Sequence, residues 1–161
     1  MRILHVSDIH LNPVGLEVAA NLAEQFDVEA ILDTGDLTSY GLPLEANIGA
    51  LLEQLPVPYY FVPGNHDSAA NRAAIARRRN VTVIDKEIVE IGGVRILGIP
   101  DPRYSVDAAG GGVSGPDARA ARERAAGRVA DLVEALDPDV LAVAGLQLGS
   151  ASTGLVPLVI S

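Results

Sequence analysis

Short runs rich in Val, Ile and Leu alternate with Ala- and Leu-rich stretches of helical period, and this alternation narrows the fold more than any other feature. Strand-like runs fall at 3–6, 28–35 and 58–64; helical stretches follow at 15–26, 43–55 and 69–79. In the first helical stretch Leu16, Ala19, Ala20 and Ala23 mark one face. Pro43 suits the first turn of the second. Such alternation with short connections implies right-handed crossovers and a largely parallel sheet. After Arg79, three short strands, 81–85, 87–93 and 94–99, follow in quick succession, with Gly92 and Gly93 placed for a hairpin turn. That part reads as antiparallel or mixed. A glycine-rich loop at 107–115, a long helix at 116–136, a strand at 138–145 and a final apolar run at 156–161, expected to be a buried strand, complete the chain. The expectation is an α/β fold with mixed sheets, a single domain over 1–161.

Composition removes several chemistries. The 161 residues suffice for a proper core, and with aromatics at 4% that core is aliphatic. There is no Cys, which excludes disulfides, thiolate zinc sites and cysteine nucleophiles. A net charge of −9 repels polyanions, so non-specific nucleic-acid binding is not expected. A phosphate-bearing substrate then needs a local positive charge, which a metal cluster supplies. No apolar run is long enough to span a membrane, and the N-terminus turns polar too early for a signal peptide. The expected location is cytoplasmic.

Three strands end in polar clusters: Asp8 and His10 after the first, Asp36 after the second, and Asn65, His66 and Asp67 after the third. Ligand sites in parallel sheets lie beyond the carboxyl ends of the strands, so the three clusters converge on one edge. Asp8 and His10 are two apart, and in an extended segment they point the same way. Mixed oxygen and nitrogen donors suit Mn, Fe or Zn better than Ca or Mg. Gly35 and Gly64 precede Asp36 and Asn65, where the backbone turns sharply or approaches closely. His5, on the opposite strand parity to Asp8, reads as a packed strand histidine. Asp33 and Asp67 read as hydrogen-bonding supports, Arg77 to Arg79 as a solvated helix end, and Arg103 as a surface turn residue.

The set Ser-Asp-Ile-His (7–10), Thr-Gly-Asp (34–36) and Gly-Asn-His-Asp (64–67) resembles the opening motifs of the calcineurin-like metallophosphoesterase superfamily. The resemblance is clear over about residues 2–100 and extends toward the end. It implies an α/β/β/α sandwich and hydrolysis of phosphate mono- or diesters, in a small molecule or nucleotide, by water activated between two divalent metal ions. Asp8 and His10 would hold the first ion, Asp36 would bridge both, Asn65 would hold the second, and His66 would steady the phosphate and protonate the leaving oxygen.

The resemblance also implies histidines that this sequence lacks: it contains only His5, His10 and His66, and Ala144 and Gly145 stand where a lone ligand histidine follows a strand. By that count the first ion lacks one imidazole and the second lacks two. One expectation is a chain truncated before the last strands, with weak or absent activity. The alternatives are a degenerate, non-catalytic relative kept for binding or regulation, and a structural domain whose turns only mimic the motifs.

Overall fold

A computed structural model describes residues 1–102 and 116–161. Two of the sequence readings, the 107–115 loop and Arg103, lie outside the described residues. The first sheet takes strands β1 (Ile3–Val6), β2 (Ala30–Asp33), β3 (Tyr59–Phe61) and β4 (Val81–Val83) in that spatial order, all parallel. The second takes β5 (Glu87–Ile91), β6 (Val94–Ile99), β7 (Val140–Val143) and β8 (Leu158–Ile160), again in order. There β5 and β6 are antiparallel, while β6, β7 and β8 are parallel. The strand at 81–85 therefore closes the parallel sheet rather than opening the mixed one. Gly92 and Gly93 both have positive φ, 56° and 84°, as a two-residue type I′ hairpin turn requires.

Among the described residues, three separate apolar clusters define four layers. One, containing Leu16, Leu52, Phe61 and Ile75, packs helices α1 (Pro13–Gln25), α2 (Gly49–Leu52) and α3 (Ala69–Ile75) on the outer face of the first sheet. A second lies between the sheets and is built from Ala30, Leu32, Val62, Ile84, Ile96 and Ala142. The third packs α4 (Pro116–Leu136) and α5 (Leu146–Ala151) on the second sheet through Val129, Leu141 and Leu148. The result is the expected α/β/β/α sandwich. The seam between sheets is tight at Gly98, where a Cβ would lie 2.5 Å from Ile84 Cγ2 and 3.1 Å from Val62 Cγ2.

Local chemistry adjusts several boundaries. Helix α1 begins at Pro13 because the Asn12 side chain accepts from the N–H groups of Val14 (3.0 Å) and Gly15 (3.3 Å). The stretch 43–55 is not one helix but a 3₁₀ helix, Pro43–Ile48, followed by the single turn of α2. Helix α3 stops at Ile75, so Arg77 to Arg79 lie beyond it, where Arg78 approaches Glu53 at 3.8 Å. β8 is a partly exposed edge strand rather than a buried one, with Leu158 51% exposed. Among the described residues, no helix is long and apolar enough to cross a membrane.

Candidate metal centre

The segments that follow β1 and β2 run side by side past the ends of their strands. Asp8, His10 and Leu11 donate backbone N–H bonds to the carbonyls of Gly35, Asp36 and Leu37, each at 2.9 Å. The first segment is not extended. Asp8, His10 and Leu11 take φ of 56°, 47° and 61°, and Asp36 takes 59°. Left-handed backbone at non-glycine residues is costly and persists only where surrounding bonds hold it. Asp8 and His10 thus converge through these turns, not through the two-residue period of a strand.

Side-chain donor atoms of Asp8, His10 and Asp36 lie within 4.8 Å of one another, an arrangement able to hold a metal ion. His10 Nδ1 is 3.2 Å from the Thr38 carbonyl oxygen. A carbonyl only accepts, so Nδ1 carries a proton, and in the neutral ring the lone pair is on Nε2, 3.8 Å from Asp8 Oδ1. Two exposed-to-half-buried carboxylates and one such imidazole form a donor set that fits a divalent ion of intermediate hardness.

Glycine makes the approach of β3 to β2 possible. A Cβ on Gly64 would lie 2.2 Å from Asp36 Oδ1 and 2.4 Å from its backbone N. A Cβ on Gly35 would lie 2.7 Å from Gly64 Cα. Beneath this contact Asp67 is fully buried and accepts from the N–H groups of Asp36 (2.9 Å), Gly64 (2.8 Å) and Thr38 (2.8 Å). Burial nevertheless pushes its pKa up, since desolvation outweighs those bonds. Asp33, also fully buried, accepts from Gly35 N–H at 2.9 Å and from the Tyr59 hydroxyl. Burial holds its carboxyl well above the usual range. Both act as supports.

His66 sits beside the group. Its ring makes a T-shaped contact with His10, centroids 5.1 Å apart. Its Nδ1 lies 2.6 Å from the Ser39 carbonyl, which fixes the proton there by the same logic. Asn65 lines a cavity of about 370 Å³ with Asp8, Asp36, Gly145 and Asp101. Asp101, 2% exposed at the end of β6, is a carboxylate the motif reading missed. The rule that sites gather at the carboxyl ends of parallel strands could have found it, because β6 pairs in parallel with β7. Gly145 leaves it room, since a Cβ there would lie 2.8 Å from Asp101 Oδ2. His5 is not packed: it stays partly open to solvent, with Nε2 2.8 Å from Thr34 Oγ1, and partial burial lowers its pKa.

The profile of the calcineurin-like phosphoesterase family matches residues 1–120, and the chain belongs to that family. The fold is similar to that of TT1561 of Thermus thermophilus, at 15% identity and a TM-score of 0.55, covering 86% of this chain and 79% of that one. It is also similar to a structure described as a novel archaeal phosphodiesterase, at 16% identity and a TM-score of 0.51, covering 88% of this chain and 70% of that one. No curated protein matches the chain.

Proposed function

We propose that this chain hydrolyses phosphate mono- or diesters with two divalent ions, Mn, Fe or Zn, held at the ends of β1, β2 and β3. The observation that carries the reading is the convergence of Asp8, His10 and Asp36 within 4.8 Å in a family of phosphoesterases. Asp8, His10 and Asp36 would hold the first ion; Asp36 and Asn65 would hold the second. Asp101, which lines the same cavity as Asp36 and Asn65, would offer the second ion a further oxygen donor. Bound divalent ions supply positive charge against phosphoryl oxygens and acidify a water.

The chain's own residues do the rest. Asp36 is oriented by main-chain bonds on both of its polar ends: its N–H is held by Asp67 and its Oδ1 by the N–H of His66. His66, its Nδ1 proton committed to Ser39, handles protons only at Nε2. In its doubly protonated form it would donate that proton to the leaving oxygen. The substrate is a phosphate-ester small molecule or nucleotide, drawn in by the ions against the overall −9 charge.

A second reading, a non-catalytic binding protein, rests on Ala144 and Gly145, which bring no imidazole to the cavity wall. One experiment separates the two: count the metal bound by purified protein equilibrated with Mn, and assay a nitrophenyl phosphodiester. Bound Mn with Mn-dependent product release supports the enzyme. Mn bound without turnover supports the binding protein. No bound Mn overturns both metal assignments.

A further inference from the structure

One carboxylate outside the metal centre grips the segment that orients both histidines. Glu45, buried in the 3₁₀ helix, accepts at a single oxygen from the N–H groups of Ser39 (3.1 Å), Tyr40 (3.0 Å) and Gly41 (3.0 Å). Two of these donors have a specific identity. The Ser39 N–H belongs to the same peptide unit as the Thr38 carbonyl, which takes the Nδ1 proton of His10. The Tyr40 N–H belongs to the same peptide unit as the Ser39 carbonyl, which takes the Nδ1 proton of His66. Each of two successive peptide units is therefore bound at its N–H end by Glu45 and at its C=O end by an imidazole.

We propose that Glu45 is the positioning residue of this centre, acting through the 38–39 and 39–40 peptide units to lock His10 and His66 in the tautomer that leaves Nε2 free. The rationale is electrostatic as well as geometric. A carboxylate at the N–H end polarises a peptide and makes its carbonyl a stronger acceptor, because hydrogen bonds in series reinforce one another. Metal-binding histidines are commonly fixed by a direct carboxylate or carbonyl partner; here one carboxylate serves two imidazoles at the remove of a peptide. Tyr40 and Leu44, 71% and 77% exposed, bury little of their side chains against this turn. Thr38 anchors the other end, its N–H on Asp67 and its hydroxyl 2.8 Å from the His66 carbonyl.

The inference rests on the metal reading only for its consequence, since the tautomers are defined without a metal. The test is ¹⁵N NMR of the three histidines in the full chain. In the native protein without metal, His10 and His66 are expected as Nδ1–H tautomers; an Nε2–H tautomer for either overturns the proposal with no variant needed. In Glu45→Ala both should lose the single-tautomer pattern while His5 keeps its signal. Glu45→Asp should restore it in part. Retention of both Nδ1–H tautomers in a folded Glu45→Ala overturns the role. Mn affinity in Glu45→Ala should fall about tenfold or more, as loss of an outer partner does at other metal sites. Failure of the native protein to bind Mn would sink the metal reading and leave the tautomer result standing.

Discussion

The backbone N–H of His66 donates to Oδ1 of Asp36 at 3.0 Å, tying the residue proposed to bridge two ions to the residue proposed to protonate the leaving group. The bond needs an oxygen acceptor, not a charge. Asp36→Asn should therefore keep the fold, because the amide oxygen can accept the same N–H. It should weaken Mn binding by more than about tenfold, a loss of about 1.4 kcal/mol, and reduce metal-dependent hydrolysis to background. Calorimetric titration with Mn, alongside a melting curve, checks both halves. Unchanged Mn affinity would remove Asp36 from the ligand set.

Gly64→Ala tests the close approach of the second and third motifs. The added methyl would sit 2.2 Å from Asp36 Oδ1, so the strand ends must separate. Overpacking of this kind costs about 1–3 kcal/mol, or roughly 3–10 °C in Tm for a chain of this size. Metal binding should weaken with it. A variant that melts with the native protein would show that the backbone yields more easily than the contact implies.

Asp33 makes stability depend on pH in a defined sense. Its folded-state pKa is raised by burial, so the folded chain holds this proton more tightly than the unfolded chain. Stability then falls as pH rises above the ordinary aspartate value of about 3.9. Asp33→Asn keeps the oxygen that accepts Gly35 N–H and removes the titration. The variant should gain stability over the native protein at neutral pH, with the gap closing toward about pH 4. Urea unfolding across that range reads it. Asp67 contributes a slope of the same sign, so the native dependence should shrink rather than vanish.

Asn80 ties three carbonyls with one amide. Its Nδ2 donates to Leu52 (3.3 Å), Leu55 (3.2 Å) and Val57 (2.9 Å), closing the connection between α2 and β3. Asn80→Ala leaves those carbonyls without this donor and should cost about 1–3 kcal/mol, seen as a lower urea midpoint. Mn affinity should stay as it was, because the tie lies at the opposite end of β3 from Asn65.

The strand-end motifs were legible because each needs only its neighbours: a strand, a glycine, a polar pair. Asp8, His10 and Asp36 could thus be placed together before any coordinates. The mixed α/β character followed from the alternation of strands and helices, whereas the four layers came from the family that the three motifs resemble. The route by which Asp8 and His10 meet was not legible, because left-handed backbone at Asp and His is imposed by bonds to Gly35 and Asp36 across the sheet. Glu45 was hidden for a related reason. No motif marks it in the sequence; in the fold its carboxylate turns back onto three amides, and the segment closes as a 3₁₀ helix. Asp101, between two prolines, reads as a turn until β6 is known to pair in parallel with β7. The short α5 has neither a side-chain cap nor a long apolar stripe to announce it.

Gly98 lies far from any reacting atom, yet it gauges the width of the cleft. Asp8, Asp36 and Asn65 are carried by one sheet, Asp101 and Gly145 by the other, and the distance between these walls is whatever the interior permits. With no side chain at Gly98 the layers close until Ile84 meets bare backbone. A bulkier residue there would act as a shim, parting the two walls of the cavity while leaving every motif residue in place.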